Sequence, residues 1–404
     1  MKSWSRPEVP PLVGKGPLPS IFDTSSASVI ETRPIALANI YVCGITPYDA
    51  THIGHASTYL AFDTLIRLWH DAGYDVSYVQ NVTDVDDPLL ERAAATGVDW
   101  RTMAADQVEL FREDMQALAL IPPDHFIAVT EAIHPIAEAV ERLLTIGIAY
   151  RVDEDIYFDI AAAAATSPWQ LGQVSGLGRE EMLDLFRERG GDPERPGKRD
   201  ALDPLLWRGP RAGEPRWTTT VGEGRPGWHI ECSVIAHEYL EFPLTVNGGG
   251  IDLAFPHHEF TAAHTAALTG IDHSLVWSHA ALVGYQGEKM SKSLGNLVLV
   301  STLRAGGADA RAIRLAILAH HYRESWEWTA DDLDAATVRL AEWTRWAAVP
   351  REGAAALADE LRVALASDLD TPAALALVDA RVTNGPSPTP GEVDAITALL
   401  GVRL

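Results

Sequence analysis

The stretch that most limits what this chain can fold into is IYVCGITPYDATHIGHASTYLAFD, residues 40–63. Ile40, Tyr41 and Val42 read as a short buried strand, the Gly, Pro and Asp that follow mark a tight loop, and helical periodicity resumes at His55. That helix buries Phe62, Leu65, Ile66 and Trp69 on one face and stops at Gly73, and residues 74–82 read as a second strand. Strand, helix and strand at this spacing form a βαβ unit, which predicts an α/β protein with a doubly wound parallel sheet. Ligands of such a sheet lie beyond the carboxyl ends of its strands, where Cys43 and residues 81–87 fall. The helix start presents free N–H groups and the positive end of its dipole to that space, which suits a phosphate. His52 and His55, three apart with Gly54 between them, can both face it.

A second basic motif, KMSKSLGN, places Lys289 and Lys292 three residues apart among Ser291, Ser293 and Gly295. Two ammonium groups and two hydroxyls on one loop can clamp a polyphosphate and stabilise the charge that builds as it leaves; alone, the motif could equally be a solvated basic turn.

With 404 residues, 47% of them hydrophobic, the chain can bury a large core divided among several units. The pattern suggests an N-terminal extension over 1–34, a catalytic domain in two halves (35–150 and 226–300), an insertion over 151–225, and a helical stem and C-terminal bundle over 301–404. Residues 91–150 read as mostly helical, broken at Pro122-Pro123 and at Pro135. In the insertion the alanine run 161–165 reads as a surface loop, and Arg187, Arg189, Arg195, Lys198 and Arg199 gather around ERGGDPERPGKRD. Strand signals return at residues 244–246, followed by NGGGIDLAFPHHE, whose glycines permit close backbone contact with a ligand. Apolar runs are broken well before 18 residues and no basic-then-apolar leader pattern stands at the start, so a cytoplasmic protein away from membranes is expected. The net charge of −24 repels polyanions unless cations are gathered locally, and residues 331–404 hold six arginines, no lysine and twelve acids, a net of −6. This disfavours nucleic acid as a partner.

The two cysteines exclude a disulfide framework. Cys43, Cys232 in GWHIECS and His257 in FPHHE could each be ordinary buried packing. All three nevertheless fall at strand ends or loops on the ligand side of the sheet, and two thiolates with an imidazole form a donor set suited to Zn²⁺.

In this order and about 235 residues apart, the histidine and lysine motifs resemble the signatures of the class I aminoacyl-tRNA synthetases. Cys43, Cys232 and His257 match three zinc ligands of the cysteinyl-tRNA synthetases within that superfamily; the fourth, a Glu four residues beyond the matching His, is replaced by Thr261. SWSRPEVP, CGITPYDATHIGHA, ERGGDP and FPHHEFTAAH are similar to stretches of the mycothiol cysteine ligase family, over nearly the whole chain. The resemblance implies ATP-dependent joining of L-cysteine to the amine of glucosaminyl-inositol through a cysteinyl-adenylate, by a monomer with one Zn²⁺ and ATP with Mg²⁺. The cysteinyl-tRNA synthetase reading stays as the alternative, and a silent regulatory paralogue as a third. The resemblance gives His52, His55, Lys289 and Lys292 the phosphate chemistry. It lines the adenylate pocket with Cys43, Gly44, Ile45, Thr46, Thr58, Asn81, Val82 and Thr83, walls the cysteine with Trp228, and assigns adenosine to Gly250, Ile251, Asp252 and Val283. Within TDVDD, Asp84, Asp86 or Asp87 serves either as a base toward the acceptor amine or as a structural cap.

Overall fold

A computed structural model of the chain describes residues 1–48, 51–290, 296–353 and 356–404. The expected parallel sheet is present, with five strands in the order Trp277–Ala280, Val246–Gly250, Ala38–Ile45, Val76–Val82 and His125–Ala128. The helix Ile53–Ala72 crosses between the two central strands and ends where Gly73 takes a left-handed φ of 90°. The glycine run does not follow a strand but forms most of one. A Cβ on Gly248 would stand 2.4 Å from the Phe62 ring, so helix and sheet meet more closely there than a side chain allows.

Residues 91–150 are mostly helical, as expected, in Asp87–Thr96, Trp100–Ala117 and Ile133–Thr145, and the chain is out of helix at Pro122-Pro123 but not at Pro135. His125–Ala128 is an edge strand, and Pro135 lies in the first turn of the helix Ile133–Thr145, where its missing N–H costs no hydrogen bond. Near the N-terminus, Ser20–Asp23 and Ser28–Glu31 form an antiparallel hairpin that the sequence reading lacked. It docks on the outer strand of the sheet, Thr24 N donating to Trp277 O at 2.7 Å and Trp277 N to Asp23 Oδ1 at 2.8 Å.

Between the His125–Ala128 and Val246–Gly250 strands the chain builds a second, antiparallel sheet. Its strands run in the order Ala149–Val152, Asp155–Phe158, Leu205–Arg208, Gly222–Pro226 and Trp217–Thr219. The alanine run is not a loop. It forms the helix Ile160–Thr166, capped by Asp159 accepting from Ala162 N at 2.9 Å. The basic residues of this region are engaged: Arg187 pairs with Asp184 and Glu194, Arg195 with Asp153, Lys198 with Asp192 and Arg199 with Asp159, while Arg189 reaches backbone carbonyls.

Toward the C-terminus, Ala310–Leu318, Ala330–Ala347, Ala356–Ala366 and Thr371–Asn384 pack as helices, with the Pro-rich break before Pro390–Ala395 as expected. Among the described residues no helix is long and apolar enough to cross a membrane. One buried cluster ties these helices to the sheet. Asp63 on the first helix accepts from Arg67 Nε at 2.8 Å and from Arg314 Nη2, while Arg314 donates to Leu400 O at 2.6 Å and Leu118 O at 2.7 Å. Burial alone would raise the Asp63 pKa, but the two guanidiniums hold it below the usual carboxylate range. Removing the single acid leaves two buried cations without a counter-charge. Asp63→Ala should therefore cost about 3–5 kcal/mol in urea unfolding, whereas Glu360→Gln, at the more exposed pair with Arg381, should cost less than about 1 kcal/mol.

Candidate active site and metal centre

The site is built where the Ala38–Ile45 strand leaves the sheet. Val42 and Ile45 pair in parallel with Gln80 and Val82, but the register shifts between them, so Cys43 and Gly44 bulge out of the ladder. Gly44 is required there: its N–H donates to Asn81 Oδ1 at 2.9 Å, and a Cβ would fall 1.6 Å from Asn81 O. Thr83 N donates to Ile45 O at 2.9 Å and its hydroxyl accepts from Asn81 at 3.1 Å, so Gly44, Ile45, Asn81, Val82 and Thr83 form one rigid floor. Thr46 stands half-buried at its rim.

His52 caps the following helix, its Nδ1 accepting from His55 N at 3.3 Å, and the two rings stack at 3.8 Å. Both therefore flank the helix start. Thr58, one turn further, lies 4.0 Å from where a Cβ on Gly250 would be, so the end of the glycine strand approaches this helix. The Asp252 carboxylate folds over Gly250, Ile251 is partly exposed, and Val283 opens a short strand against Glu288–Lys289 and Trp326–Glu327. Lys289 opposes Gly284 across this ribbon. Lys292 lies outside the described residues.

Cys43, Cys232 and His257 come from three distant parts of the chain and converge: their ligating atoms all lie within 4.8 Å of one another. Cys232 Sγ is 3.9 Å from Cys43 Sγ and 3.2 Å from His257 Nε2, and all three side chains are buried. The two thiols differ electrically. Burial pushes the Cys43 thiol well up, whereas hydrogen bonding to Cys43 and the adjoining His257 overcome the same burial at Cys232 and carry it well down. Two soft sulfurs and one imidazole, buried and convergent, fit a zinc ion with one position to spare. Trp228 stacks on His257 at 4.5 Å, closing one side. Thr261 offers no replacement for a fourth ligand, since its hydroxyl donates to His229 O at 3.3 Å.

The three acids of TDVDD separate. Asp84 accepts from Thr130 N and Oγ1 at 2.9 and 2.5 Å, and Asp87 pairs with Arg208 and Arg225. Asp86 caps the helix Asp87–Thr96, and burial pushes its carboxyl up to about 6.

Two features escaped sequence reasoning. His258, beside the matched His257, places Nε2 3.2 Å from Cys43 Sγ and continues through His279, at 2.7 Å, to Thr24, at 2.6 Å from His279. Glu259 is buried with its carboxylate accepting from Trp169 Nε1, the N–H groups of Gly172, Val174 and Ser175, and the Ser175 hydroxyl. The HHE triplet was a visible signal, but the partners of Glu259 lie 84 to 90 residues away along the chain, and Cys43 lies 215 residues from His258.

A family model described as the tRNA synthetases class I (C) catalytic domain matches residues 30–338. An L-cysteine:1D-myo-inositol 2-amino-2-deoxy-α-D-glucopyranoside ligase of Clavibacter michiganensis is 59% identical, covering 100% of this chain and 99% of that one. A ligase of the same name from an Arthrobacter species is 54% identical over 100% of both chains. The chain belongs to this ligase family, built on the class I synthetase catalytic domain. Among solved structures, Mycobacterium tuberculosis methionyl-tRNA synthetase bound by methionyl-adenylate shares the fold at a TM-score of 0.60 and 16% identity, over 91% of this chain and 88% of that one. A leucyl-tRNA synthetase ternary complex from Agrobacterium radiobacter gives 0.61 at 12% identity, over 91% and 83%.

If the thiol and imidazole cluster is this family member's metal centre, Cys43→Ala and Cys232→Ala should each lose the bound metal. Elemental analysis of the purified proteins, against about one zinc per wild-type chain, checks this. Full metal content in both variants would overturn the assignment.

Proposed function

We propose that the protein joins L-cysteine to the amine of glucosaminyl-inositol at the cost of ATP, releasing AMP and pyrophosphate. The observation that carries this reading is the Cys43, Cys232 and His257 cluster, set beside a histidine-flanked helix start in a chain 59% identical to a ligase of that name. A zinc ion there would supply a thiophilic Lewis acid for the substrate sulfur, the one atom by which cysteine differs from serine and which shape alone sorts poorly.

In the first step a carboxylate oxygen of cysteine attacks the α-phosphorus of ATP, and the bond to pyrophosphate breaks. His52, His55 and the helix start hold the phosphates, and Lys289 and Lys292 meet the charge on the departing group, with Mg²⁺ accompanying ATP. Gly44, Thr46, Thr58, Asn81 and Thr83 line the cysteinyl-adenylate, Trp228 bounds the cysteine, and Gly250, Ile251, Asp252 and Val283 hold adenosine. In the second step the sugar amine attacks the activated carbonyl and AMP leaves. The amine's proton goes to a carboxylate, and Asp86 suits this best: its Oδ1 caps one helix N–H and burial raises its carboxyl to about 6, whereas Thr130 holds Asp84 through two contacts and two arginines pair with Asp87. In this reading residues 35–150 and 226–300 form the catalytic domain, 151–225 the insertion, and 1–34 and 301–404 its packing. The protein acts as a cytoplasmic monomer.

Lys289→Ala should slow single-turnover adenylate formation by at least about a hundredfold while leaving zinc content and fold unchanged, since the lost interaction acts only in the transition state. An unchanged rate would remove Lys289 from the mechanism.

The choice of acceptor follows from charge. Residues 331–404 carry a net of −6, and the cations around ERGGDP are taken up by internal partners. A small amino sugar needs no run of phosphate contacts, whereas tRNA does. Apparent affinity for glucosaminyl-inositol should change less than about threefold between 50 and 200 mM salt, against the steep fall of a polyanion. Efficient charging of tRNA with cysteine, with glucosaminyl-inositol left untouched, would replace this reading by the cysteinyl-tRNA synthetase one.

A further inference from the structure

The ERGGDP stretch makes a contact that the mechanism above does not use. The helix Arg179–Glu188 ends at Arg189, and Gly190 turns the chain with a left-handed φ of 88°. Gly191 then lies flat against the Phe186 ring, where a Cβ would come within 2.5 Å. Asp192 locks the turn by accepting from the Tyr157 hydroxyl at 2.5 Å and from Lys198 at 3.0 Å. Lys198 in turn lies over the Tyr157 and Phe186 rings. So fixed, Arg189 sends its guanidinium across to the segment 252–257: Nη1 donates to Asp252 O at 2.5 Å and also to Phe255 O.

That segment is irregular. One turn of 3-10 helix, Ile251–Leu253, is followed by Phe255 in an extended conformation, φ −139° and ψ 137°. The helical pattern breaks at this point, and the guanidinium supplies a charged donor to carbonyls on both sides of the break. At one end of the segment stands Asp252, with its carboxylate over Gly250; at the other stands His257 of the thiol cluster.

We propose that Arg189 is a positioning residue for the nucleotide, reaching from the antiparallel sheet's side to hold the Asp252 backbone, and with it the carboxylate assigned to the ribose hydroxyls. This rests on the ligase reading, in which Asp252 faces ribose. Arg189 touches backbone rather than substrate, so its loss loosens a binding group without removing any charge from the phosphates. The interaction acts on ground and transition states alike, which places its effect on KM for ATP rather than on kcat.

The test is cysteine-dependent exchange of labelled pyrophosphate into ATP by the full chain, with zinc content and melting temperature measured on the same samples. Arg189→Ala should raise KM for ATP about tenfold or more, the loss of a charge-assisted hydrogen-bond pair. It should keep kcat within about threefold and leave KM for cysteine and zinc content as in the wild type. Arg189→Lys should recover part of the loss, because an ammonium can still donate to one carbonyl. Arg187→Ala, whose side chain pairs among the described residues with Asp184 and Glu194, should match the wild type. An unchanged KM for ATP in Arg189→Ala overturns the proposal. So does a parallel rise in both KM values with loss of zinc and a lower melting temperature, since that marks general support of the fold. A wild type without cysteine-dependent exchange would instead refute the ligase reading, and equilibrium binding of ATP to the same variants would then decide the role of Arg189.

Discussion

The architecture depends on one acid. Asp63 sits in the middle of the helix that begins at the histidine pair, 1% exposed, and neutralises Arg67 and Arg314 together. Each guanidinium then spends its remaining donors on carbonyls that no regular element satisfies: Arg67 on Ala119 and Ala398, Arg314 on Leu118 and Leu400. Two charges of one sign around one of the other would be costly in a dry interior, and Arg314 is accordingly pulled down to about 10 by burial. The carbonyls make the cluster tolerable by sharing the excess positive charge. The result is that the helix presenting His52 and His55 is pinned from its middle turns to the loop near residue 119 and to the C-terminal turn. The helix start that carries the histidine pair can therefore be held still from outside the pocket.

The thiol cluster obeys a different constraint. Cys43 is delivered by a bulge, which turns a strand residue out of the ladder at the carboxyl end of the sheet, and the bulge is possible only because Gly44 lets the Asn81 carbonyl approach. Cys232 comes from inside the helix Trp228–Tyr239 and His257 from the kinked segment before Glu259–Thr269. Burial opposes thiolate formation at both sulfurs, yet hydrogen bonding to Cys43 and the imidazole of His257 favour it at Cys232 alone. Around the cluster, burial keeps His258 and His279 neutral, the latter pulled down to about 4, which leaves their ring nitrogens able to accept as well as donate.

Much of this was legible in the sequence because it is local. Residues 40–82 carry their strand, helix and strand in one continuous pattern, and Gly73 marks the helix end as a C-cap glycine should. The convergence of the candidate donors was legible for another reason: the chain has only two cysteines, and Cys43 does stand at a strand end, whereas Cys232, expected at a strand end or loop, lies inside the helix Trp228–Tyr239. What failed was non-local. The alanine run is a helix because Asp159 caps it, a signal that a composition argument overlooks. The antiparallel sheet was missed because its strands are three to five residues long and the pairing that joins its halves, Asp155–Phe158 with Leu205–Arg208, spans some 50 residues of chain. The second histidine and Glu259 of the HHE triplet gave no sign of their roles, since those roles consist of contacts to Cys43, His279 and the loop around Ser175.

The basic stretch in the antiparallel region shows how a charge count can mislead in both directions. Five cations within thirteen residues of a chain with a net charge of −24 look like a local site for a polyanion. Yet four of them face carboxylates of the same region, and a polyanion would have to displace those intramolecular partners before gaining any contact of its own. Arg189 is the exception in kind, because its guanidinium meets backbone carbonyls in the segment between Asp252 and His257. The cations therefore serve to fasten the antiparallel region internally and to fasten it to the parallel sheet's ligand edge. Seen this way, the acidity of the chain and its cluster of arginines agree: the positive charge of this stretch is structural, held by the chain's own carboxylates and carbonyls.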